Sequence, residues 1–467
     1  MLYKLKSILR RIVPYKFILF THKIRAFLAA VVYKFPGKKL RVIGVAGTKG
    51  KTTTVNMIVK ILEESGNKVA MLSTANFQIG DRKWLNDVKL TTTSPFYFQK
   101  FLRKAVKEKC NYAVVEISSH GLVQYRHWGV PYHTVVLTNM MSDHLDYHKT
   151  YANYKNSHNA LFTKNLENII INYDDENLRS FLDIKVERKC HRCILSLEKI
   201  CSRIYRAIFC STAKIPKQVQ NDKIKKYVFS LKSYQEIQGL NLVKTEKIIL
   251  NEKGSEFAIA SEDKKENIKL PLIGEFNIYN SLAAASVGLA EGTDLETIKK
   301  ALESTRSIPG RLEKINEGQD FEVIVDYAHS PDSLKSVYET VKPYVKNRLI
   351  AVLGGTGDRD KTYRAEGGAL ADEYADIVII TNEDPYSEDP EKIIDQVMSG
   401  VKNKTLGENW FRISDRKEAI KKAVSLAKSG DLILITGKGS EQLMICGEQK
   451  IPWDDREIAR EAIRRIE

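Results

Sequence analysis

The chain has 467 residues, of which 43% are apolar and 28% are charged, a composition typical of a folded protein with two or three domains. The formal net charge is +16, yet the excess of lysine and arginine is concentrated in residues 1–41 and 185–226, and the remainder is near neutral. We therefore exclude a general polyanion binder and expect no nucleic-acid partner, and six cysteines without a disulfide framework favour the cytoplasm.

The first unit in chain order is residues 1–40, a basic and amphipathic helical segment. Residues 1–41 contain eleven lysines and arginines and no acidic residue, interleaved with Phe, Leu, Val and Tyr. Such a segment can lie on an anionic membrane through residues 1–36, or pack against the protein with its cations in solvent. No apolar run in it reaches the length of a membrane span.

Residues 47–54, with the sequence GTKGKTTT, follow a predicted strand at 40–46 and open a predicted helix. Glycines let backbone N–H groups surround phosphate oxygens, a helix N-terminus favours anions, and Lys51 can reach terminal phosphates. Thr52 can hold Mg²⁺. The strict phosphate-loop pattern is not met, because Val45 stands where its first glycine is expected, and the alternative is a glycine-rich turn without nucleotide.

Short apolar strands alternate with helices in residues 41–180, and this spacing predicts a mainly parallel sheet. Residues 183–230 break the rhythm and are interpreted as an insertion. Strands within 240–272 and a helix at 278–292 complete a central domain, for which we predict the bounds 41–308.

A second alternation of strands and helices follows, and it predicts a C-terminal domain at residues 309–467. The predicted fold class is α/β: a central phosphate-loop domain with a mainly parallel sheet, followed by a Rossmann-like α/β domain. Ligands of open α/β sheets bind beyond the carboxyl ends of the strands, and the polar motifs of this chain follow its predicted strands.

Glu116 ends a buried-looking strand on the same predicted edge as the phosphate loop. A carboxylate there is placed to bind Mg²⁺ together with Thr52, since Mg²⁺ favours few carboxylates plus waters and phosphate oxygens. The alternative is a strand-end glutamate that caps the next helix.

Residues 143–148, with the sequence DHLDYH, are dense in metal ligands. His144 and His148 have the i, i+4 spacing of one helix face, which allows zinc. A second interpretation, favoured beside a phosphate loop, is that one histidine binds a second Mg²⁺ together with Glu116. A third is that these are polar loop histidines that bind no metal.

Four cysteines fall in the predicted insertion, and Cys190 and Cys193 have zinc-site spacing. The second pair, Cys201 and Cys210, has eight residues between its members, which is loose for a zinc ribbon. The apolar neighbours of these cysteines favour buried free thiols instead.

Taken together, residues 41–467 resemble the Mur ligase family, most closely the MurE type. The segments that carry the resemblance keep the family's order along the chain. They are GTKGKT at 47–52, TT at 91–92, EISSHGL at 116–122, DHLDYH at 143–148, GEFN at 274–277, PGR at 309–311, DYAHSPD at 326–332, GDRDK at 357–361, GKG at 437–439 and DDRE at 454–457.

The resemblance implies an enzyme that uses ATP and Mg²⁺ to phosphorylate a peptide carboxylate, after which the amine of an incoming amino acid attacks the acyl phosphate. For the MurE type this step adds the third amino acid, meso-diaminopimelate or L-lysine, to UDP-N-acetylmuramoyl-L-Ala-D-Glu in peptidoglycan biosynthesis. We expect a monomer with this nucleotide-linked peptide, or a lipid-linked equivalent, and a free amino acid as partners.

The resemblance also implies residue roles. Catalysis falls to Lys51, Glu116 and His144. ATP binding falls to Gly47, Thr48, Lys49, Gly50, Lys51, Thr52, Thr53, Asn277, Asn280, Arg311 and Asp326. Substrate binding falls to Thr91, Thr92, Ser118, Gln124, Arg126, His329, Arg359, Glu383, Asp384, Gly437 and Glu441. Magnesium binding falls to Thr52, Glu116, His144 and His158.

The chain departs from the family pattern in four places. A basic segment of about forty residues stands before the phosphate loop in place of a uridine-diphosphate-binding domain. His158 occupies the position of a carbamylated lysine. The specificity motif Asp-Asn-Pro-Arg becomes EDPY at 383–386, which removes a bidentate partner for a distal carboxylate. Ser440 replaces a histidine.

Two other functions stay open at this stage. A MurT-like ligase that acts on a lipid-linked precursor would suit the short basic N-terminus and the cysteine-bearing insertion, and it would sit at the inner face of the membrane. A catalytically silent nucleotide-binding homologue would suit His158. A nucleic-acid-dependent phosphate-loop enzyme is disfavoured by the near-neutral body of the chain.

Overall fold

A computed structural model of the chain describes residues 15–141, 143–183, 224–232 and 234–466. Most of the predicted insertion, with Cys190, Cys193, Cys201 and Cys210, lies outside the described residues. The described part contains two main β-sheets, each combined with α-helices, which confirms the predicted α/β fold class. The predicted domain bounds stay predictions.

In the described part of the chain, eleven strands form one sheet in the order β11-β10-β9-β8-β7-β6-β1-β5-β2-β3-β4. The seven central strands, from β9 to β2, run parallel, and the margins on both sides are antiparallel. The strands are β1 (Arg41–Ala46), β2 (Val69–Leu72), β3 (Asn76–Ile79), β4 (Arg82–Leu85), β5 (Tyr112–Glu116), β6 (Tyr132–Leu137), β7 (Asn168–Asn172), β8 (Lys225–Ser230), β9 (Asn241–Asn251), β10 (Gly254–Ser261) and β11 (Lys264–Leu270).

Helices cover both faces of this sheet. They are α1 (Tyr15–Val32), α2 (Lys51–Glu64), α3 (Pro95–Lys107), α4 (Ser119–Val123), α5 (Leu145–His148), α6 (Tyr151–Ser157), α7 (Glu176–Arg179), α8 (Glu275–Ala290) and α9 (Leu295–Glu303). The buried cluster on one face joins the sheet to α2, α8 and α9, and the cluster on the other face joins it to α3. No helix in the described residues is long and apolar enough to cross a membrane.

Strand β1 shows why the central strands are apolar throughout. Successive side chains of a strand point to opposite faces. Ile43 and Val45 pack with α2, whereas Val42 and Ala46 belong to the cluster that contains α3. A strand covered on both faces therefore has no polar side, as expected for parallel sheets.

The second sheet has the order β12-β13-β17-β14-β15-β16, with an antiparallel pair at β12 and parallel pairing elsewhere. A separate hairpin, β18-β19, lies beside it. The elements are β12 (Glu313–Ile315), β13 (Glu322–Val325), α10 (Pro331–Val341), β14 (Leu349–Leu353), α11 (Thr362–Tyr374), β15 (Ile377–Ile380), α12 (Pro390–Met398), β16 (Trp410–Arg412), α13 (Arg416–Leu426), β17 (Leu432–Ile435), β18 (Leu443–Cys446), β19 (Gln449–Pro452) and α14 (Asp455–Ile463).

Strand β8 lies in the segment that the broken rhythm assigned to an insertion. Its buried residues Tyr227, Val228 and Phe229 pair in parallel with β7 and extend the sheet. The two lysines that begin the strand hide it in the sequence, because they continue the basic run before it.

Candidate active site

The phosphate loop lies at the centre of the large sheet, between β1 and α2. Strand β1 is flanked by β5 and β6, so the loop, Glu116 and Thr138 share one edge. Gly47 and Gly50 have φ values of 129° and 81°, in the region that favours glycine, and a side chain on Gly50 would collide with Asn280. The chain therefore turns as a phosphate-binding loop requires.

Lys51, the first residue of α2, folds back over this loop. Its Nζ donates hydrogen bonds to the carbonyl oxygens of Gly47 at 2.9 Å and Thr48 at 2.8 Å. Burial lowers the pKa of the Lys51 ammonium. A cation in this place stands beside the backbone that can surround a phosphate group.

Glu116 is held by hydroxyl and amide donors next to the loop. Thr52 Oγ1 donates to Glu116 Oε2 at 2.9 Å, and Thr74 donates to the same carboxylate from its backbone N at 2.7 Å and its Oγ1 at 2.8 Å. Only 3% of Glu116 is exposed. The carboxylate is therefore fixed in position rather than used to cap a helix.

The donor set beside the loop fits magnesium. Within the described residues, no group of three or more His, Cys, Asp or Glu side chains is arranged to hold a metal ion unaided. Mg²⁺ keeps several waters and takes one or two carboxylates plus phosphate oxygens. The Thr52 hydroxyl and the Glu116 carboxylate supply hard oxygen ligands of this kind.

The two histidines at i, i+4 spacing do not share a helix face. His144 precedes α5 with a left-handed φ of 54°, and its ring centroid lies 4.8 Å from that of His120. His148 is buried, with Nε2 2.9 Å from the hydroxyl of Ser119. A cleft of the protein runs past the phosphate loop, and of these two histidines His144 alone lines it. This difference disfavours a zinc site made by the pair.

His158 is not among the residues that line this cleft. It is 1% exposed, and its Nδ1 lies 3.0 Å from the carbonyl oxygen of Tyr154. Burial lowers the pKa of His158 to about 4, so the imidazole is neutral. The hydroxyl of Tyr154 in turn lies 2.8 Å from that of Thr48 in the loop. A metal-binding role for His158 stays a prediction.

The predicted nucleotide-binding residues meet at the loop. Arg311 Nη2 donates to Thr52 Oγ1 at 3.1 Å, and its guanidinium lies 4.4 Å from the ring centroid of Tyr327. Asp326 accepts backbone N–H groups from residues 312 and 328, each at 2.7 Å, and burial raises its pKa. Asn280 Nδ2 donates to Asn277 Oδ1 at 3.1 Å within α8.

The predicted acceptor residues form a second connected group. Thr74 Oγ1 donates to Thr91 Oγ1 at 2.9 Å, and Thr92 Oγ1 accepts the backbone N–H of Ser118 at 2.9 Å. Arg126 donates to the carbonyl oxygen of Thr92 at 2.6 Å and to Gln124 Oε1 at 2.7 Å. We call Thr91, Thr92, Ser118, Gln124 and Arg126 the acceptor wall.

Charged side chains form a buried cluster in the C-terminal part of the chain. Lys438 Nζ donates to Asp384 Oδ2 at 2.9 Å and to Glu441 Oε2 at 2.8 Å. Burial acts to raise the pKa of Asp384, but Lys438 and Lys89 outweigh it and lower that pKa. The neighbouring Glu383 accepts a hydrogen bond from Thr356 at 2.6 Å, and burial raises its pKa.

Lys89 was missed by sequence reasoning. Its Nζ lies 2.5 Å from Asp384 Oδ2 and 3.0 Å from Glu441 Oε2, and its side chain is 11% exposed. It belongs to the loop between β4 and α3, so it joins the first sheet's half of the chain to the second. A lysine two residues before Thr91 carries no sequence signal of its own, since its partners lie about three hundred residues away.

One cleft of about 1370 Å³ unites most of these groups. Both halves of the chain contribute to its walls. The predicted site residues that line it are Thr48, Lys49, Gly50, Lys51, Thr52, Thr53, Thr91, Glu116, Ser118, Arg126, His144, Asn277, Asn280, Arg311, Asp326, His329 and Arg359. The predicted site residues that do not line it are Gly47, Thr92, Gln124, His158, Glu383, Asp384, Gly437 and Glu441.

The sequence matches two domain models of one family along most of its length. Residues 45–200 and 198–288 match the Mur ligase middle domain, and residues 310–439 match the Mur ligase glutamate ligase domain. The chain belongs to the Mur ligase family. It is therefore an ATP-dependent ligase, which confirms the resemblance of its motifs.

Two relatives of the chain are named for the same activity. The chain is 35% identical over 446 residues to the UDP-N-acetylmuramoyl-L-alanyl-D-glutamate--2,6-diaminopimelate ligase 1 of Clostridium acetobutylicum, across 95% of this chain and 82% of the relative. It is 35% identical to the ligase of the same activity from Bacillus cereus, across 97% of this chain and 84% of that relative.

Solved structures show the same relationship. A structure of a UDP-N-acetylmuramoyl-L-alanyl-D-glutamate--2,6-diaminopimelate ligase superposes with a TM-score of 0.58 at 29% identity, covering 91% of this Mur ligase and 79% of that chain. The folylpolyglutamate synthase of Mycobacterium tuberculosis superposes with a TM-score of 0.64 at 17% identity, covering 95% and 94%, a likeness of fold alone.

Proposed function

We propose that this Mur ligase adds the third amino acid, meso-diaminopimelate or L-lysine, to UDP-N-acetylmuramoyl-L-Ala-D-Glu in the cytoplasm. One observation supports this most directly: an unbroken chain of hydrogen bonds runs from Thr52 through Glu116 and Thr74 to Thr91. The phosphate loop and the acceptor wall therefore meet at one carboxylate. A phosphoryl donor on the loop would face a peptide carboxylate held by the wall.

The chemistry needs activation of a carboxylate. A carboxylate oxygen of the acceptor attacks the γ-phosphorus of ATP, the bond from that phosphorus to the bridging oxygen breaks, and ADP leaves. The amine nitrogen of the amino acid then attacks the carbonyl carbon of the acyl phosphate and loses a proton. The tetrahedral intermediate collapses to an amide and releases inorganic phosphate.

Cations of this chain stand where charge develops in the first step. Lys51 lies over the phosphate loop, and Arg311 reaches Thr52 from the C-terminal half. Preorganised cations of this kind stabilise a transferring phosphoryl group without reorganisation. Bound Mg²⁺, for which Thr52 and Glu116 are the proposed protein ligands and His144 and His158 further candidates, would neutralise phosphate charge.

The acceptor wall has the groups to hold a peptide. Arg126 lines the cleft and is oriented by Gln124 and by the Thr92 carbonyl, so its guanidinium is preorganised for a carboxylate or phosphate oxygen. The hydroxyls of Thr91 and Ser118 can donate or accept hydrogen bonds toward a peptide carbonyl.

The amino acid is proposed to bind between Arg359, His329 and the cluster of Asp384 and Glu441. Diaminopimelate and lysine both carry a distal ammonium, for which these carboxylates are the natural partners. Diaminopimelate also carries a distal carboxylate, and here Lys89 and Lys438 supply positive charge while Tyr386 stands at the end of the EDPY segment.

An amino-acid panel tests the proposal. The purified enzyme is incubated with ATP and either the nucleotide-linked or a lipid-linked muramoyl dipeptide, and each of diaminopimelate, L-lysine, L-ornithine and L-alanine is added in turn. Mass spectrometry of the products should show one amide adduct with diaminopimelate or lysine. Phosphate release that needs no acceptor would refute the ligase assignment, and no turnover with any pair would favour the silent homologue.

The lipid-linked acceptor is the second candidate. It is favoured by α1, which has an exposed apolar side and whose first residue, Tyr15, is linked through Tyr147 to Gln124 of the acceptor wall. In the panel this reading predicts product with the lipid-linked dipeptide and little with the nucleotide-linked one.

A further inference from the structure

One side of α1 is exposed and apolar. Phe17, Phe20, Ile24, Leu28 and Val32 follow one another at spacings of three or four residues, so they lie along a single side of the helix. Between 39% and 61% of each residue is exposed. We call these five residues the apolar stripe, which is the kind of surface that marks an interaction site.

The opposite side of α1 holds the helix on the protein. Ala26, Ala29 and Ala30 are each at most 1% exposed. The ring of Phe27 lies 5.4 Å from that of Trp128, and the helix packs along α3. Because the small side chains face inward, the large apolar residues of the stripe face solvent.

Exposed cations lie within α1 and just beyond its C-terminal end. Arg25 is exposed within α1, and Lys34, Lys38 and Lys39 are exposed beyond its last turn. Residues 1–41 contain eleven lysines and arginines and no acidic residue. An occupant of this surface must therefore combine an apolar interior with negative charge at its edges.

We propose that α1 docks this ligase on an anionic lipid bilayer, with the apolar stripe inserted at the level of the headgroups and the flanking cations against lipid phosphates. A helix of 18 residues is about 27 Å long and can lie in the plane of the interface along its whole length. Anionic lipid attracts such a basic segment through many weak contacts. A second copy of the chain fits less well, because pairing would bring two acid-free cationic segments together.

Docking through α1 would place the acceptor wall close to the membrane. The hydroxyl of Tyr15, at the start of α1, lies 3.4 Å from that of Tyr147, which accepts a hydrogen bond from Gln124 at 3.2 Å. Lys23 lies 5.8 Å from the ring centroid of Tyr125. This consequence rests on the proposed function, whereas docking itself does not.

Vesicle flotation without substrates tests the docking. The full chain is mixed with vesicles of phosphatidylcholine alone or of phosphatidylcholine with phosphatidylglycerol. The double variant Phe20→Glu/Leu28→Glu places two carboxylates on the stripe. Leu406→Glu, at a more exposed apolar residue far along the chain, is the control. Circular dichroism and thermal unfolding check that each variant is folded.

We expect the wild type and the control to float with the anionic vesicles, less so at high salt, and the double variant to bind about tenfold more weakly. Equal flotation of the double variant, or no flotation of the wild type, would overturn the proposal. So would lipid-free self-association of the wild type, measured by light scattering, that the double variant abolishes. Ligase turnover with the soluble acceptor, measured in parallel, reports the proposed function separately.

Discussion

Arg311 donates a hydrogen bond to the hydroxyl of Thr52 at 3.1 Å, across 259 residues of sequence. This contact brings a cation from the C-terminal half of the chain to the phosphate loop of the first half. Thr52 passes the connection on to Glu116. The proposed function therefore predicts that phosphoryl transfer depends on both halves of the chain meeting at the Thr52 hydroxyl.

We expect Arg311→Met to lower kcat for product formation by about a hundredfold or more, because it removes a preorganised cation from the transferring phosphoryl group. Steady-state kinetics at saturating ATP measures the effect. Arg306→Met is the matched control, since this exposed arginine lies five residues earlier in the chain. Unchanged kcat in Arg311→Met would show that the two halves do not meet at the loop during turnover.

Lys51→Ala should abolish turnover while the fold stays intact, because no other ammonium contacts the carbonyl oxygens of Gly47 and Thr48 in the described residues. Mass detection of the amide product and circular dichroism measure the two properties. Lys60→Ala, in the same helix but beyond the loop, should retain activity. Retained activity in Lys51→Ala would contradict a catalytic role of Lys51 at the phosphate loop.

Lys89→Met tests the charge of the amino-acid site. Loss of this ammonium leaves Asp384 and Glu441 with Lys438 as their remaining lysine partner, so the site becomes more negative. The ratio of kcat/KM for lysine over diaminopimelate should rise by about tenfold, since only diaminopimelate brings a second carboxylate.

Lys83→Met is the control for that change, because Lys83 pairs with Glu63 on the exposed side of the same half of the chain. It should leave the ratio as it is in the wild type. An unchanged ratio in Lys89→Met would separate Lys89 from amino-acid selection and leave it as a link between the two halves.

The folded protein should lose stability in mild acid. Burial lowers the pKa of both His127 and His158 to about 4, below the value of about 6.5 in an unfolded chain. Between these values the unfolded state binds more protons, so the stabilisation is complete above about pH 6.5 and is lost as the pH falls toward 4. At about pH 5.5 the loss is on the order of 3 kcal/mol for the pair.

Urea unfolding at about pH 7.5 and about pH 5.5 measures this loss, and His127→Gln should reduce the difference between the two conditions. Equal free energies of unfolding at both pH values would contradict the depressed pKa values of the buried imidazoles.

Arg416→Met should destabilise the C-terminal half by about 3–5 kcal/mol, because it leaves the carboxylate of Asp455 buried without its guanidinium. Both side chains are 0% exposed, and Nη2 lies 2.6 Å from Oδ2. Arg412→Met removes two exposed ion pairs instead, with Glu391 and Asp395, and should cost less than about 1 kcal/mol. Similar melting temperatures for the two variants would show that the buried ion pair of Arg416 and Asp455 matters no more to stability than an exposed one.

The sequence predicted the central strands well, because buried parallel strands such as β1 and β14 are continuous apolar runs between polar turns. It missed the hairpin β3-β4, whose outer strand is the exposed Arg82–Leu85 and shows little apolar pattern. It also missed β8, where a basic run precedes three buried apolar residues. Short edge elements leave weak signals because few of their side chains are buried.

The candidate site could be predicted where its residues belong to one continuous motif, as in the phosphate loop. It was harder to predict where residues from distant segments of the chain contact one another. Lys89 and Thr74 gain their roles only through contacts with Asp384 and Glu116. In contrast, the spacing of His144 and His148 predicted that the two side chains share one helix face. His144 has a left-handed backbone conformation and precedes the helix, so they do not. Backbone conformation of this kind cannot be seen in spacing alone.

The central claim is that a peptide carboxylate of the acceptor becomes an acyl phosphate, and oxygen-isotope transfer tests it most directly. The acceptor is prepared with ¹⁸O in the carboxylate that becomes the amide, and inorganic phosphate from turnover is analysed by mass spectrometry. The account predicts that each phosphate carries one oxygen from that carboxylate, since the leaving phosphate takes the bridging oxygen with it. Phosphate without ¹⁸O, formed alongside the amide product, would contradict it.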